Sequence, residues 1–308
     1  MPLGRSLLLA AARSETLNDF ALRSRIVRRA TKAFMPGERP EDALDAGATL
    51  ADDGRSLIYT RLGEAITAAA EAESVRDHYL RFFDDIRTRG PPAQVSVQPT
   101  QLGLDLSMDR CLEHLHTLAA KAEATGSALW LDMEDSSYVD RTLTLYEALK
   151  RNHPRTGLAL QAYLHRTPQD LQRLLPLKPV VRLVKGAYAE PAHIAHARKR
   201  DTDAAYESLA GTMLDAAQRD ACRPVFGTHD MPLVGRIAAR AASIGLPKGR
   251  YEVHMLYGIR EREQQRLRAE GHAVTTLISY GAAWYRWYMR RLAERPANVA
   301  FVVRSMFG

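Results

Sequence analysis

Short apolar runs recur along this chain at Leu57–Leu62, Val95–Val97, Ala128–Asp132, Leu158–Ala162, Val180–Val184, Val225–Thr228, Tyr251–Met255 and Val274–Ile278. Their β-favouring composition predicts eight strands. Most gaps between them hold a polar–apolar pattern of helical period, clearest in Met108–Ala124, Val139–Lys150 and Asp201–Arg219. Strands separated by helices pair in parallel, because each return to the sheet needs a crossover. The simplest architecture is a closed α/β barrel of eight strands, (β/α)8 and TIM-like. A doubly wound open sheet is the rival. It would want G-x-G-x-x-G after the first strand, and Leu62-Gly63-Glu64 does not supply it. Residues 1–56 precede the first strand and read as a helical segment packing on the barrel. Residues 57–308 then form the barrel and a last helix, Trp284–Glu294, stopped by Pro296.

Composition narrows the class without naming a chemistry. Hydrophobic residues make up 46% of the 308 and charged residues 26%, as in an ordinary globular protein able to bury a large core. The formal charge of +7 could attract nucleic acid or an anionic membrane face. No block of like charge and no nucleic-acid motif supports the first, so the surplus reads as a solvated surface and nucleic acid is not an expected partner. Cys111 and Cys222 are far apart and lack metal-ligand spacing, which points to a reduced compartment and no metal. The apolar run Leu7–Ala12 is too short to span a membrane, and Arg13 follows at once. The expectation is a cytoplasmic protein, at most peripheral to the inner face of a membrane.

In such a barrel, chemistry collects at the carboxyl ends of the strands. The exits here carry Gln98; Asp132, Met133 and Glu134; Gln161 and Tyr163; Arg182, Lys185 and Tyr188; Thr228 and His229; His254, Leu256 and Tyr257; and Ser279 and Tyr280. Any one of these could be a turn residue or a helix cap. The hypothesis rests on their convergence in one pocket. The fifth exit stands out, because Arg182 lies inside an apolar strand and Lys185 at its end. Two cations there are costly unless something anionic or electron-rich receives them. A second cluster, Arg290 and Arg291 with Glu294, follows Trp284, Tyr285, Trp287 and Tyr288, a setting in which guanidinium forks can hold a carboxylate.

These residues resemble the flavin-dependent proline dehydrogenases. The resemblance runs from Phe34-Met35-Pro36-Gly37 to the end, through Leu131-Asp132-Met133-Glu134-Asp135-Ser136, Gln161-Ala162-Tyr163, Arg182-Leu183-Val184-Lys185-Gly186-Ala187-Tyr188, Thr228-His229, Met255-Leu256-Tyr257-Gly258 and Arg290-Arg291-Leu292-Ala293-Glu294-Arg295-Pro296. It implies a distorted barrel binding FAD non-covalently. A hydride would leave the carbon beside the ring nitrogen of proline for flavin N5, a cyclic imine would form, and electrons would pass to a quinone or other acceptor. By the same resemblance, Asp132 and Arg182 are catalytic, with Arg182 near N5. Val184, Lys185, Gly186 and Ala187 match the turn around the cofactor. Met133, Gln161, Thr228, His229 and His254 match flavin-contacting positions, and Glu294 helps to hold the cofactor and the last helix. Gln98, Tyr188, Leu256, Leu277 and Trp287 fall at substrate-pocket positions, and Arg290 and Arg291 match the pair that grips the substrate carboxylate.

Five positions depart from the family pattern. Gln98 replaces a lysine, Leu277 and Trp287 replace tyrosines, His254 replaces a glutamine and Asp230 replaces an asparagine. The lost lysine takes one charge from the anion site, so a flavin enzyme for another amine stands as the alternative. Two further readings stay open: a Schiff-base enzyme built on Lys185, and a flavin-holding barrel that serves as a partner or sensor.

Overall fold

The computed structural model describes residues 31–63, 66–89, 93–285 and 287–289. The eight strands are β1 (Ser56–Arg61), β2 (Gln94–Val97), β3 (Ala128–Leu131), β4 (Gly157–Gln161), β5 (Val180–Val184), β6 (Arg223–Gly227), β7 (Glu252–Leu256) and β8 (Ala273–Tyr280). They close in sequential order, and β8 returns to β1 in parallel with Ile58 opposite Leu277. Closure excludes the open-sheet rival. The helices are α1 (Pro40–Asp52), α2 (Ala69–Arg89), α3 (Met108–Ala124), α4 (Val139–Asn152), α5 (Thr167–Leu174), α6 (Lys199–Gln218), α7 (Met231–Ser243) and α8 (Glu261–Ala269). Helix α1 precedes the barrel and packs on β1 and β8.

Strand periodicity separates outward from inward side chains. Outward positions such as Tyr59, Val95, Leu131, Leu160 and Leu183 join helix residues Leu115, Tyr146 and Met213 in the main core. Burying each large aliphatic side chain there contributes about 1.5–3 kcal/mol. Inward positions Ile58, Trp130 and Val225 form a separate cluster, with Val180 and Leu277 against it. This cluster plugs the barrel, as expected for a fold whose interior is packed.

Trp130 fits because β4 begins with a glycine. A β-carbon at Gly157 would overlap the indole ring. Gly157→Ala is therefore expected to destabilise the protein by about 1–3 kcal/mol through overpacking. Urea unfolding monitored by circular dichroism measures the loss.

Several element ends differ from the sequence reading. Strand β3 stops at Leu131, although the Asp132 N–H still donates to the Val97 carbonyl at 2.9 Å. Strand β6 runs from Arg223 to Gly227, so Thr228 lies just past its end. Strand β8 extends to Tyr280 because Thr275, Thr276 and Ser279 are buried strand residues despite their polarity.

Candidate active site

Arg182 sits in the middle of β5, where alternation turns it inward and leaves it 3% exposed. Its Nη2 donates to the Asp132 carboxylate and, at 3.0 Å, to Ser96 Oγ. Ser96 in turn donates to Asp132 Oδ1 at 2.8 Å. Burial pulls the guanidinium below its ordinary range, against the opposing effect of Asp132. A cation this desolvated is tolerated because a carboxylate and a hydroxyl meet it. Its Nη1 is buried and has no partner among the described residues.

Other exits carry similar orphans. Gln161, buried at the end of β4, donates through Nε2 to the Glu134 carbonyl at 3.2 Å, while its Oε1 has no partner among the described residues. His254 on β7 pairs Nε2 with Glu252 Oε2 at 3.2 Å, so Nε2 carries the proton and Nδ1 is left as a buried acceptor without a described partner. Burial holds the His254 imidazole below its ordinary range. Burial works against the Glu252 carboxylate, but the hydrogen bond from His254 and the charge of Arg223 outweigh it. Native buried polar atoms are nearly always satisfied, so a donor and two acceptors left over around one barrel mark a place for a polar ligand.

The turn after β5 is shaped for close approach. Gly186 has φ +114°, and a β-carbon there would overlap the ring of Tyr163. The Tyr163 N–H donates to the Lys185 carbonyl at 2.9 Å, which locks this turn to the β4 exit. Further along the same loop, Glu190 accepts from the Ser136 N–H and Oγ, both at 2.7 Å, and ties it to the β3 exit.

Lys185 does not simply reach solvent. Its ammonium donates to Asp203 Oδ1 at 2.5 Å and to Asp230 Oδ2 at 2.8 Å. This is the opposite of the apolar setting a Schiff-base lysine needs, so that reading loses its support. Burial opposes ionisation of Asp203 and Asp230, but Lys185, assisted by Lys199, overcomes it and both carboxyls titrate below their ordinary 3.8. Their stabilisation is complete above about pH 4 and is lost as pH falls through the lowered folded-state values. Lys185→Met is expected to cost about 1 kcal/mol at pH 7, discounted for partial exposure, and to flatten the acid limb of stability. Urea midpoints between pH 3 and 7 provide the check.

The remaining expected residues fall as follows. His229 Nε2 accepts the Leu256 N–H at 2.9 Å, joining the β6 and β7 exits and fixing the imidazole as acceptor at that nitrogen. Thr228 and Met133 are buried at their exits. Gln98 accepts through Oε1 from Gln101 Nε2 at 3.2 Å, and Gln101 also donates to the Arg61 carbonyl at 3.1 Å. Val184, Ala187 and Tyr188 are half-buried on the β5 strand and loop. Leu277 lies against the interior cluster, and Trp287 packs with Phe34, Met35, Trp284 and Tyr288. Arg290, Arg291 and Glu294 lie outside the described residues, as do Glu64 and residues 1–30.

Four contributors escaped the sequence reading: Ser96, Trp130, Glu252 and Glu190. Glu252 alone left a signal, an acid two residues before His254 and therefore on the same strand face. In the sequence, Glu134 shows only its place at an exit. It is buried, and its two carboxylate oxygens accept from the Thr100 N–H at 3.0 Å and hydroxyl at 2.7 Å. It thereby joins the β2 and β3 exits.

Known proteins resemble this chain along most of its length. The family model for proline dehydrogenase matches residues 43–304. Proline dehydrogenase 1 of Bacillus subtilis (strain 168) is 33% identical over 302 residues, covering 98% of each chain. The chain belongs to the proline dehydrogenase family. The family's Deinococcus radiodurans member is 34% identical over 278 residues, covering 89% of this chain and 88% of its own. Proline utilization A (PutA) from Bdellovibrio bacteriovorus, solved after inactivation by N-propargylglycine, has the same fold, with a TM-score of 0.79 at 22% identity over 94% of this chain. This chain spans only 37% of that longer PutA chain.

Proposed function

We propose that this member of the family oxidises proline at the mouth of its barrel, using FAD. Full-length similarity to proline dehydrogenases supports the substrate, and the buried orphans support the cofactor. The observation that carries the reading is Arg182, a desolvated guanidinium held on one side by Asp132 and Ser96, whose Nη1 has no partner among the described residues. A flavin ring would bring groups of the kind these atoms lack: oxygens and ring nitrogens to take the Arg182 donor, and an N–H for one of the two acceptors, Gln161 or His254. Gly186, without a β-carbon and at positive φ, leaves backbone room for it.

FAD bound there would accept the hydride from the carbon beside the proline nitrogen, and the product would be a cyclic imine. The chain's own residues do the rest. Arg182 stabilises the negative charge that develops at the acceptor. Asp132 and Ser96 fix the guanidinium. Lys185, Gly186 and Ala187 hold the cofactor at the β5 turn, with Met133, Gln161, Thr228, His229 and His254 around it. Tyr188, Leu256 and Leu277 enclose the substrate ring, while Arg290 and Arg291 bind its carboxylate and Glu294 steadies their segment. A quinone or another acceptor would take up the electrons. A quinone is lipid-borne, and the +7 charge suits brief contact with an anionic membrane face. Among the described residues, no helix is long and apolar enough to cross a membrane.

Oxidation of a different amine has no observation behind it in the described site. The test is anaerobic reduction of the FAD-loaded protein by proline, hydroxyproline, pipecolate and N-methylated amino acids in parallel. Proline should bleach the flavin fastest. A preference for any other amine by a factor of ten would overturn the substrate.

A further inference from the structure

We infer that Trp130 is the positioning residue of Arg182, with its indole face holding the guanidinium from the barrel floor. The Arg182 Cζ lies 5.0 Å from the centroid of the Trp130 ring. The ring is itself clamped. Its Nε1 donates to Gln94 Oε1, the missing β-carbon of Gly157 opens the space it fills, and His254 meets it at 5.6 Å between centroids with the ring planes 61° apart. Trp130 is 2% exposed and Arg182 3%, so the pair is shielded from water.

Asp132 and Ser96 both bind Nη2. Both contacts lie at the Nη2 end, so they fix that end of the fork and leave the rest of the group without support from them. The indole ring supplies that support from below and steadies the Nη1 end. A π-face also attracts a cation most strongly where water is excluded. The floor of the barrel therefore acts on the chemistry above it without touching substrate or cofactor.

Trp130→Phe and Trp130→Leu separate this role from simple filling. Both leave a cavity, but only phenylalanine keeps a π-face. In the FAD-loaded protein, Trp130→Leu should weaken the preference for reduced over oxidised flavin about tenfold, a fall in midpoint potential of about 30 mV for two electrons. Trp130→Phe should stay close to wild type, and in an Arg182→Met background Trp130→Leu should add no further fall. Equal potentials for the Phe and Leu variants would overturn the inference.

The redox arm rests on the FAD reading, so a second arm does not use the cofactor. A double-mutant cycle of Trp130→Leu and Arg182→Met, read by urea unfolding of the full chain without added FAD, should show a coupling of about tenfold or more in the unfolding constant. Effects that multiply to within twofold would overturn the inference. A wild-type chain that takes up no FAD would end the functional reading, and the unfolding cycle would still decide the role of Trp130.

Discussion

Replacing Arg182 by methionine is expected to slow flavin reduction by proline about 10²–10³-fold, the loss seen when one preorganised donor to developing charge is removed. Methionine keeps the unbranched stem and removes the cation. The negative charge appearing at the hydride acceptor would then face Asp132 with no cation between them. Stability should fall as well. Removing one partner of a buried ion pair leaves the other unpaired, at a cost of about 3–5 kcal/mol; Asp132 is 23% exposed, which puts this pair at the low end. Stopped-flow absorbance at saturating proline measures the rate, and urea unfolding measures the stability. A normal reduction rate in a stably folded Arg182→Met protein would remove Arg182 from the mechanism.

Gly186→Ala is expected to abolish FAD retention while the barrel still folds. The residue lies at φ +114°, a region that L-residues enter at about 1–3 kcal/mol. The new methyl would also overlap the Tyr163 ring, which is buried at the β4 exit. Overpacking adds about 1–3 kcal/mol. The turn can relieve both strains by shifting, and the cofactor surface shifts with it. Affinity for FAD should drop by at least about thirtyfold, the equivalent of 2 kcal/mol. Equilibrium dialysis against FAD measures the affinity, and circular dichroism confirms the fold. Wild-type affinity in the alanine variant would show that the β5 turn does not contact the cofactor.

The barrel was legible in the sequence because its outward faces are mostly apolar and its helices are well signalled. Met108–Ala124 is a helix over the range its periodicity predicts, started by Ser107, whose hydroxyl accepts the Arg110 N–H. Val180–Val184 is likewise the strand it was read to be. Strand β8 extends two residues past its predicted end and one before its predicted start, because Ser279 faces the interior and breaks the apolar run. The β5 exit was legible at Arg182, since a charge between Val181 and Leu183 has no bland explanation.

The supporting groups were not legible, for a physical reason. Ser96, Trp130 and Gly157 are ordinary strand residues in sequence, and their roles arise only when the stagger of the closed sheet brings β2, β3, β4 and β5 around one axis. Glu190 and Ser136 lie 54 positions apart and meet only because the β5 loop folds back across the mouth. The clamp on Lys185 required β5, α6 and the start of α7 to converge, and no spacing along one element encodes that.

The most direct test of the whole account is an anaerobic titration of the purified, FAD-loaded chain with proline, following the visible flavin band. Bleaching that saturates with proline and returns on adding a quinone is the expected result. A chain that stays colourless in excess FAD, or a flavin that stays oxidised at saturating proline, would contradict it.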